Sequence, residues 1–196
     1  MDTAIPLAFT AAWASGINPY LLVLMLGLLG RFAGADVPVG LERLDVILVF
    51  AVLTLVDSIA DKVMYLDSAW DALNTLIRPV AGAVVAALIA SPHVDLPTAA
   101  IAAAGGAVAL IAHLAKATTR LAVNSSPEPA SNIVVSVIED LAVAGVVVIA
   151  LLNPWVAAGI AMGLLIGGVV VALVLAKAVR AGWRRVYRRS SAQAAA

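Results

Sequence analysis

The sequence contains no cysteine, which excludes a disulfide framework, an iron–sulfur site and a zinc site built on thiolates. Charge is also scarce, because only 12% of the 196 residues are charged, about half the share of a soluble domain. Hydrophobic residues make up 63% of the chain, and the mean hydropathy is +1.06. Twelve basic and twelve acidic side chains cannot cover a soluble domain of this length. The composition therefore predicts an integral membrane protein, built as one domain over residues 1–189.

Motifs that mark common enzyme sites are missing as well. There is no Gly-rich phosphate loop, no His-Glu-x-x-His and no Gly-x-Ser-x-Gly. We therefore expect no enzymatic activity and no cofactor. Six of the twelve basic residues follow Leu175, and we expect no folded domain after them. A short basic tail of this kind is typical of a membrane anchor, so we expect no nucleic-acid partner.

Apolar stretches of about 20 residues predict membrane-spanning helices. A first apolar segment covers 4–33, and helices are predicted over 44–65, 69–90, 98–121, 131–152 and 155–187. The predicted fold class is therefore all-α, a polytopic membrane helix bundle with about six transmembrane helices. Residues 190–196 are predicted to form a disordered tail.

The first apolar segment is interrupted by Gly16-Ile17-Asn18-Pro19. Pro19 removes a helix donor, and Asn18 can cap the helix that follows. The segment is therefore either one broken helix or a re-entrant pair of half-helices, unless a short interfacial helix simply precedes an ordinary span. Irregular backbone at membrane depth is tolerated only inside protein or beside water, so a deep break would be of functional interest.

The basic residues predict how the chain is oriented. The loops on one side, together with the tail, hold nine basic residues, whereas those on the other side hold only Arg31 and Arg43. The positive-inside rule then favours a multi-pass protein of the bacterial cytoplasmic (inner) membrane, with both termini in the cytoplasm.

Polar residues form one stripe on each of four consecutive predicted helices. On the helix over 44–65, Asp57 and Asp61 share one face, and the other three stripes have similar i, i+3, i+4 or i+7 spacing. All four stripes occupy the predicted cytoplasmic half, with Asp57, Arg78 and Glu139 on the order of 10 Å deep. The candidate binding residues are Asp57, Asp61, Arg78, His113, Lys116, Arg120, Ser136, Glu139 and Asp140.

An intramembrane charge costs roughly 2.5–3.5 kcal/mol, so these side chains should face one another or a wet cavity. Such a layer is typical of a route for a proton, an ion or a small charged solute. It is also compatible with a buried ion-pair network that fixes helix packing, or with binding of anionic lipid headgroups. The acidic residues and His113 could hold a divalent metal, but the nearby bases oppose it, and the metal is left undecided.

Two weaker patterns concern packing. Gly159, Gly163 and Gly167 recur every four residues, a spacing that lets another helix approach closely. That helix would belong to this chain, which we favour, or to a second copy in a homo-oligomer. In addition, a weak two-helix repeat at an offset of 61 aligns Asp71, Thr75 and Arg78 with Asn132, Ser136 and Glu139.

Four stretches of the chain carry a family resemblance. They read ASGINPYLLVLMLGLLGR over 14–31, DSIADKVMYLDSAWDALNTLIRPVAGA over 57–83, HLAKATTRLAVNSS over 113–126 and SNIVVSVIEDLAV over 131–143. In this order they resemble a family of small bacterial membrane proteins without an assigned activity, the domain of unknown function 4126. The family more often has Glu at the position of Asp57, Pro at that of Met64, and a loop rich in Thr and Gly before the fifth predicted helix. The resemblance implies a membrane location and points to the motif residues, without supplying a substrate.

The leading hypothesis is a small, oligomeric transporter or channel-like protein in the lipid bilayer. Its acidic residues Asp57, Glu139 and Asp140 would bind a proton or cation, and His113 would titrate as a relay. The bases Arg78, Lys116 and Arg120 would offset charge or hold an anionic group. The alternatives are a structural or partner-binding membrane protein and a binder of anionic lipid headgroups.

Overall fold

The computed structural model describes the backbone of residues 3–124 and 129–194, and its description excludes the side chains at 64, 65, 67, 68, 124, 129, 130, 132, 179 and 181–194. The described residues form seven α-helices and one 3-10 helix, with no strand among them. The elements are α1 (Ala4–Ile17), α2 (Pro19–Ala33), the 3-10 helix (Val39–Glu42), α3 (Leu44–Ala60), α4 (Met64–Ala90), α5 (Thr98–Asn124), α6 (Pro129–Leu152) and α7 (Pro154–Ala194). The predicted all-α fold class is confirmed.

Four of the described helices are long and apolar enough to cross a membrane. The apolar stretches are Ala69–Ala90, Thr98–Val123, Ile133–Leu152 and Pro154–Ala178. α3 has 17 residues, which at a rise of 1.5 Å per residue corresponds to about 26 Å. A polytopic helical membrane bundle is thus confirmed. The six predicted spans correspond to these four helices, α3 and a first segment made of two short helices.

The first segment breaks at Asn18, where the sequence predicts an interruption. Asn18 is extended, with φ −151° and ψ 91°, and its Oδ1 accepts a hydrogen bond of 2.9 Å from the backbone N–H of Leu21. Pro19 lies in the first turn of α2, where its missing N–H removes no helical hydrogen bond. α1 and α2 have 14 and 15 residues, so each extends for only about 21–23 Å.

The two short helices double back on each other and form a re-entrant hairpin. The start of α1 and the segment that follows α2 lie at one end of the bundle, where Ala4, Val37 and Leu88 line a common cavity of about 260 Å³. The tip of the hairpin lies at the other end, where Asn18 contacts Asp140 of α6. Of the paths that the sequence allows for this segment, the chain adopts the re-entrant pair.

The hairpin also determines where Thr3 and the described part of α7 lie within the bundle. α7 passes the hairpin tip near Gly168, which lines a groove with Lys116, and continues to Ala194. The first described residue, Thr3, lines the cavity at the opposite end of the bundle. The prediction that both termini lie on the same side of the membrane, in the cytoplasm, stays a prediction, because residues 1–2 and 195–196 lie outside the described residues. The buried amide of Asn18 finds the polar partner that it needs in Asp140, inside the bundle.

α1 lies at the centre of the bundle, in contact with α4, α5, α6 and α7. It fits there because many of its buried residues are small, among them Ala8, Ala11 and Ala12. At the end of α1, a Cβ on Gly16 would lie 2.6 Å from the Cβ of Ala112 on α5. Small residues at such crossings let helix backbones approach closely, which is how helices associate in lipid.

The disordered tail over 190–196 stays a prediction. The described backbone of α7 is helical as far as Ala194, and 195–196 lie outside the described residues. Residues 190–194 contain only Ser, Ala and Gln, with no Pro or Gly that would end a helix. The two-helix repeat would relate α3 and α4 to α5 and α6. It stays a prediction, because the side chain of its member Asn132 lies outside the described residues.

Candidate functional site

The polar stripes of α3, α4, α5 and α6 face one another inside the bundle. Of the predicted site residues, Asp57, Asp61, Arg78, His113, Lys116, Arg120 and Ser136 are buried, and Glu139 and Asp140 are half-buried. We use the name charged layer for Asp57, Asp61, Asp71, Arg78, His113, Lys116, Arg120, Glu139 and Asp140. Since a charge facing lipid costs roughly 2.5–3.5 kcal/mol, the layer holds these groups where they can bind one another.

One part of the charged layer is organised around Arg78 of α4. Its Nη2 lies 3.5 Å from Asp57 Oδ1 and its Nη1 lies 3.3 Å from Asp71 Oδ1. The same Asp57 oxygen accepts a hydrogen bond of 2.6 Å from Trp70 Nε1. The guanidinium, which is fully buried, therefore joins a carboxylate of α3 to one of its own helix.

His113 of α5 completes this part through a chain of hydrogen bonds. Its Nδ1 lies 3.0 Å from Arg78 Nη1, and its Nε2 lies 3.0 Å from Thr75 Oγ1, which in turn donates to the Asp71 carbonyl oxygen at 3.0 Å. Because a guanidinium can only donate, Nδ1 accepts, and the ring hydrogen is assigned to Nε2. His113 is thus neutral in this arrangement, and the titrating role predicted for it requires the bond to Arg78 to break first.

The other part of the charged layer is built on two bases of α5. Lys116 Nζ lies 2.8 Å from Asp61 Oδ2 and 3.5 Å from Glu139 Oε2. Arg120 Nη2 lies 3.1 Å from the same Asp61 oxygen and 2.6 Å from the same Glu139 oxygen. The two bases therefore link the end of α3 to α6, two helices that are far apart in the sequence.

The tip of the re-entrant hairpin belongs to this second part. Lys116 Nζ donates to the carbonyl oxygen of Ile17, the last residue of α1, at 3.1 Å. Asn18 Nδ2 donates to Asp140 Oδ1 at 3.0 Å. Carbonyl groups at a helix C-terminus carry partial negative charge, so the end of α1 adds to the negative potential around Lys116. The sequence predicted Asn18 only as a helix cap, and its side chain also binds the layer.

Replacing Asn18 with Asp tests this contact. Asp keeps an acceptor for the N–H of Leu21, but it turns the donor that faces Asp140 into a second carboxylate. We expect the thermal midpoint in detergent to fall by several degrees. The loss of a buried hydrogen bond costs about 1–3 kcal/mol, and each kcal/mol corresponds to about 2–4 °C for a chain of this size.

Asn153 supplies a matched control for this substitution. It also precedes a proline, and its Oδ1 accepts from the N–H of Val156 at 3.3 Å, but the contact is exposed. Asn153→Asp should leave the midpoint unchanged, since a negative charge at a helix N-terminus is favourable. Equal shifts for Asn18→Asp and Asn153→Asp would show that the hairpin tip is not held by Asp140.

Sequence reasoning missed several residues that border the layer. Tyr20 O–H donates to Asn74 Oδ1 at 3.1 Å, and Asn74 Nδ2 donates to the Trp70 carbonyl oxygen at 3.0 Å. The spacing of Asp71 and Asn74 already places them on the polar stripe of Arg78, although neither is among the candidate binding residues. Tyr20 and Trp70, whose ring centroids are 6.3 Å apart, gave no periodic polar signal.

Some polar atoms of the site remain without a hydrogen-bond partner in the part of the chain that the structure describes. They are Asp57 Oδ2, Arg78 Nε, Arg78 Nη2 and Ser136 Oγ, all buried. Buried polar groups are usually paired, so these atoms give the layer capacity to bind water or a small polar ligand. Among the described residues, no three His, Asp or Glu side chains are grouped so as to hold a metal ion.

The glycine stripe of α7 lies on the exposed side of that helix. At Gly159, Gly163 and Gly167, no described atom lies within 4 Å of the position that a Cβ would take. The packing within this chain that we favoured is therefore wrong for the described residues. The reason is that α7 buries a different face, which carries Ala157 and Ala161. Packing against a second copy stays a prediction.

Comparison with known proteins gives one finding. The model of a family described as "Domain of unknown function (DUF4126)" matches residues 5–184. No curated protein and no solved structure matches the chain. The matched range includes the re-entrant hairpin from its second residue, Ile5, and every residue of the charged layer.

Proposed function

The chain belongs to the DUF4126 family, whose description gives no activity, and we propose that it is a small transporter or channel-like membrane protein. Its charged layer binds a proton or a small cation on the way through the bundle. The proposal involves no enzymatic reaction. It builds on the coarser finding of a helical membrane protein with charged residues buried in its interior.

The observation that carries this proposal is the excess of acidic groups in the charged layer. The carboxylates are those of Asp57, Asp61, Asp71, Glu139 and Asp140, and the charged bases are Arg78, Lys116 and Arg120. Five acids against three bases leave two negative charges when all are ionised. Counting the half-buried Lys62, whose ammonium donates to the Ser58 carbonyl oxygen, still leaves one. The three buried acids balance the three buried bases, so the surplus negative charge belongs to the half-buried Glu139 and Asp140. Net charge away from bulk water is costly, so a proton or cation is the ligand that neutralises it.

The position of the layer supports the same function. It surrounds a helix break inside the bundle, and the backbone groups at the ends of broken helices often form the ion sites of transporters. The carbonyl of Ile17 is such a group, and Lys116 Nζ donates a hydrogen bond to it at 3.1 Å. The Glu139 side chain is 17% exposed, in the groove that it lines with Lys116, which gives a ligand a way to reach this part of the layer.

Flux measurements in proteoliposomes test the proposal. A membrane potential, imposed with a K⁺ gradient and valinomycin, should drive inward movement of protons or Na⁺, each read with its own internal dye. We expect Glu139→Gln and Arg78→Gln to reduce that flux to the level of empty vesicles, because both change the charge of the layer. Glu42→Gln is the matched control, since Glu42 lies on the 3-10 helix, away from the layer. Flux that neither layer variant alters would refute the proposal.

A structural role is the second candidate, because each buried base already binds a carboxylate within 3.5 Å. In that case, charge-neutralising variants would lose stability or would no longer co-purify with a partner. The unmodified protein would show no ion flux. Binding of anionic lipid headgroups is less favoured, because Arg78, Lys116 and Arg120 are engaged by carboxylates and the layer as a whole is negative. The proposed location is the bacterial cytoplasmic membrane, with the basic end of α7 in the cytoplasm.

A further inference from the structure

Lys116 Nζ lies among three oxygens that together resemble a binding site for a small cation. The distances are 2.8 Å to Asp61 Oδ2, 3.1 Å to the Ile17 carbonyl oxygen and 3.5 Å to Glu139 Oε2. An ammonium group has three N–H donors, and these three acceptors match them in number. The side chain of Lys116 is fully buried there.

The oxygens come from three separate parts of the bundle. Asp61 is the C-cap of α3, Ile17 ends α1, and Glu139 lies on α6. Arg120 binds both carboxylates through Nη2, at 3.1 and 2.6 Å. The two acidic groups therefore keep a cationic partner if the ammonium of Lys116 moves away, and the site can persist without it.

A groove of about 250 Å³ adjoins this site. Lys116, Thr119 and Glu139 lie in its wall, while Trp13 and Leu165 are among the apolar residues that line the rest. Its outer wall includes side chains on the lipid-facing surface, such as Ile138, which is 60% exposed. A molecule with a short hydrocarbon chain and a cationic end matches both the apolar wall and the acidic one.

We propose that these oxygens form a binding site for a primary alkylammonium ion, whose place Lys116 takes with its own side chain. An external amine displaces the Lys116 ammonium, places its N–H donors on the same three oxygens and lays its hydrocarbon chain in the groove. This inference rests on the proposed function and names the class of cation that the charged layer binds.

The test uses Lys116→Ala, which empties the position of the ammonium, and n-butylammonium chloride as the probe. At saturating probe, the thermal midpoint of this variant in detergent should rise by about 5 °C or more, as expected for a ligand well above its dissociation constant. Tetramethylammonium, which carries the charge but has no N–H donor, should give no such rise. Lys62→Ala is the matched control, because Lys62 Nζ donates to the Ser58 carbonyl oxygen at 2.8 Å and binds no carboxylate among the described residues. Butylammonium should leave the thermal midpoint of this variant unchanged.

A second readout applies if Lys116→Ala does not fold without a ligand. It is the yield of monodisperse protein, compared between extraction with butylammonium and extraction with tetramethylammonium. Recovery with the primary amine alone supports the site. Failure of the amine to recover the protein, an equal effect of tetramethylammonium, or an equal shift of Lys62→Ala would overturn it. This experiment measures amine binding and not transport. The absence of ion flux in vesicles would therefore refute the proposed function without deciding whether the amine binds.

Discussion

Asp61→Asn is expected to lower the thermal midpoint by about 10 °C, which is more than we expect for Asn18→Asp. One Asp61 oxygen lies 2.8 Å from Lys116 Nζ and 3.1 Å from Arg120 Nη2, and all three side chains are at most 1% exposed. Asn has the same shape but no charge, so two buried cations would share Glu139 as their main partner. Breaking a buried ion pair by removing one member costs about 3–5 kcal/mol, because the remaining charge has no solvent to stabilise it.

Asp45→Asn is the control for this variant, since it makes the same chemical change in an exposed pair. Arg43 Nη2 lies 2.7 Å from Asp45 Oδ2, as close as the buried contacts, but the two side chains are 68% and 63% exposed. Surface pairs of this kind contribute about 0–1 kcal/mol, so its midpoint should hardly move. Adding Lys116→Met to Asp61→Asn should recover part of the loss, because it removes one unpaired cation. Similar midpoints for Asp61→Asn and the unmodified protein would mean that the layer is hydrated enough to screen its charges.

The sequence predicted the charged layer well because burial in lipid leaves polar residues few choices. Asp57 and Asp61 on one helix face, and Arg78 on another, had to turn inward to avoid the cost of facing hydrocarbon. The spacing of a stripe defines the face of a helix but not the partner on the next helix. For this reason the pairing of Arg78 with His113, and of Lys116 with the carbonyl of Ile17, became visible only in three dimensions.

The path of the first segment could not be predicted, because the break at Asn18 is compatible with a kinked span and with a hairpin. Counting basic residues assigns loops to a side, yet it contains no information on whether 4–33 crosses or returns. What decides the path is the set of contacts available to the buried Asn18 side chain and to the small residues of α1. In the hairpin, the Asn18 side chain and the small residues of α1 both lie inside the protein. The end of α1 then meets the charged layer, where Asn18 binds Asp140 and the Ile17 carbonyl binds Lys116.

Glycine spacing misled the sequence interpretation for a related reason. A four-residue repeat on one helix resembles a packing face, yet Gly163 has open space around it. A tight crossing instead joins α4 to α5, where an added Cβ on Gly82 would lie 3.0 Å from the Gly105 carbonyl oxygen and one on Gly105 would meet Ala86. Small residues recur every four residues there too, at Gly82 and Ala86 and at Gly105 and Ala109, so the spacing alone does not tell which repeat packs.

Gly16→Ala is expected to have the largest effect of any conservative change in the hairpin. The added Cβ would overlap the backbone carbonyl of Ala109 and lie 2.6 Å from the Cβ of Ala112, and neither α5 atom belongs to a side chain that can rotate away. Overpacking of this kind costs about 1–3 kcal/mol or more, so the thermal midpoint should fall by about 5 °C or more. Because Gly16 precedes Ile17, the shift of α1 would also move the carbonyl that binds Lys116, and flux should be lost with stability.

Gly163→Ala makes the same chemical change on α7, where nothing lies within 4 Å of the new Cβ. Alanine is favoured over glycine within a helix by about 1 kcal/mol, so this control should be neutral or slightly stabilising. Helix propensity favours alanine in both variants. The difference between their thermal midpoints in one detergent therefore measures the effect of the close contact between α1 and α5. If Gly16→Ala melted at or above the temperature of Gly163→Ala, α1 could not be packed against α5 at this crossing, and the hairpin tip would have to be positioned by its polar contacts alone.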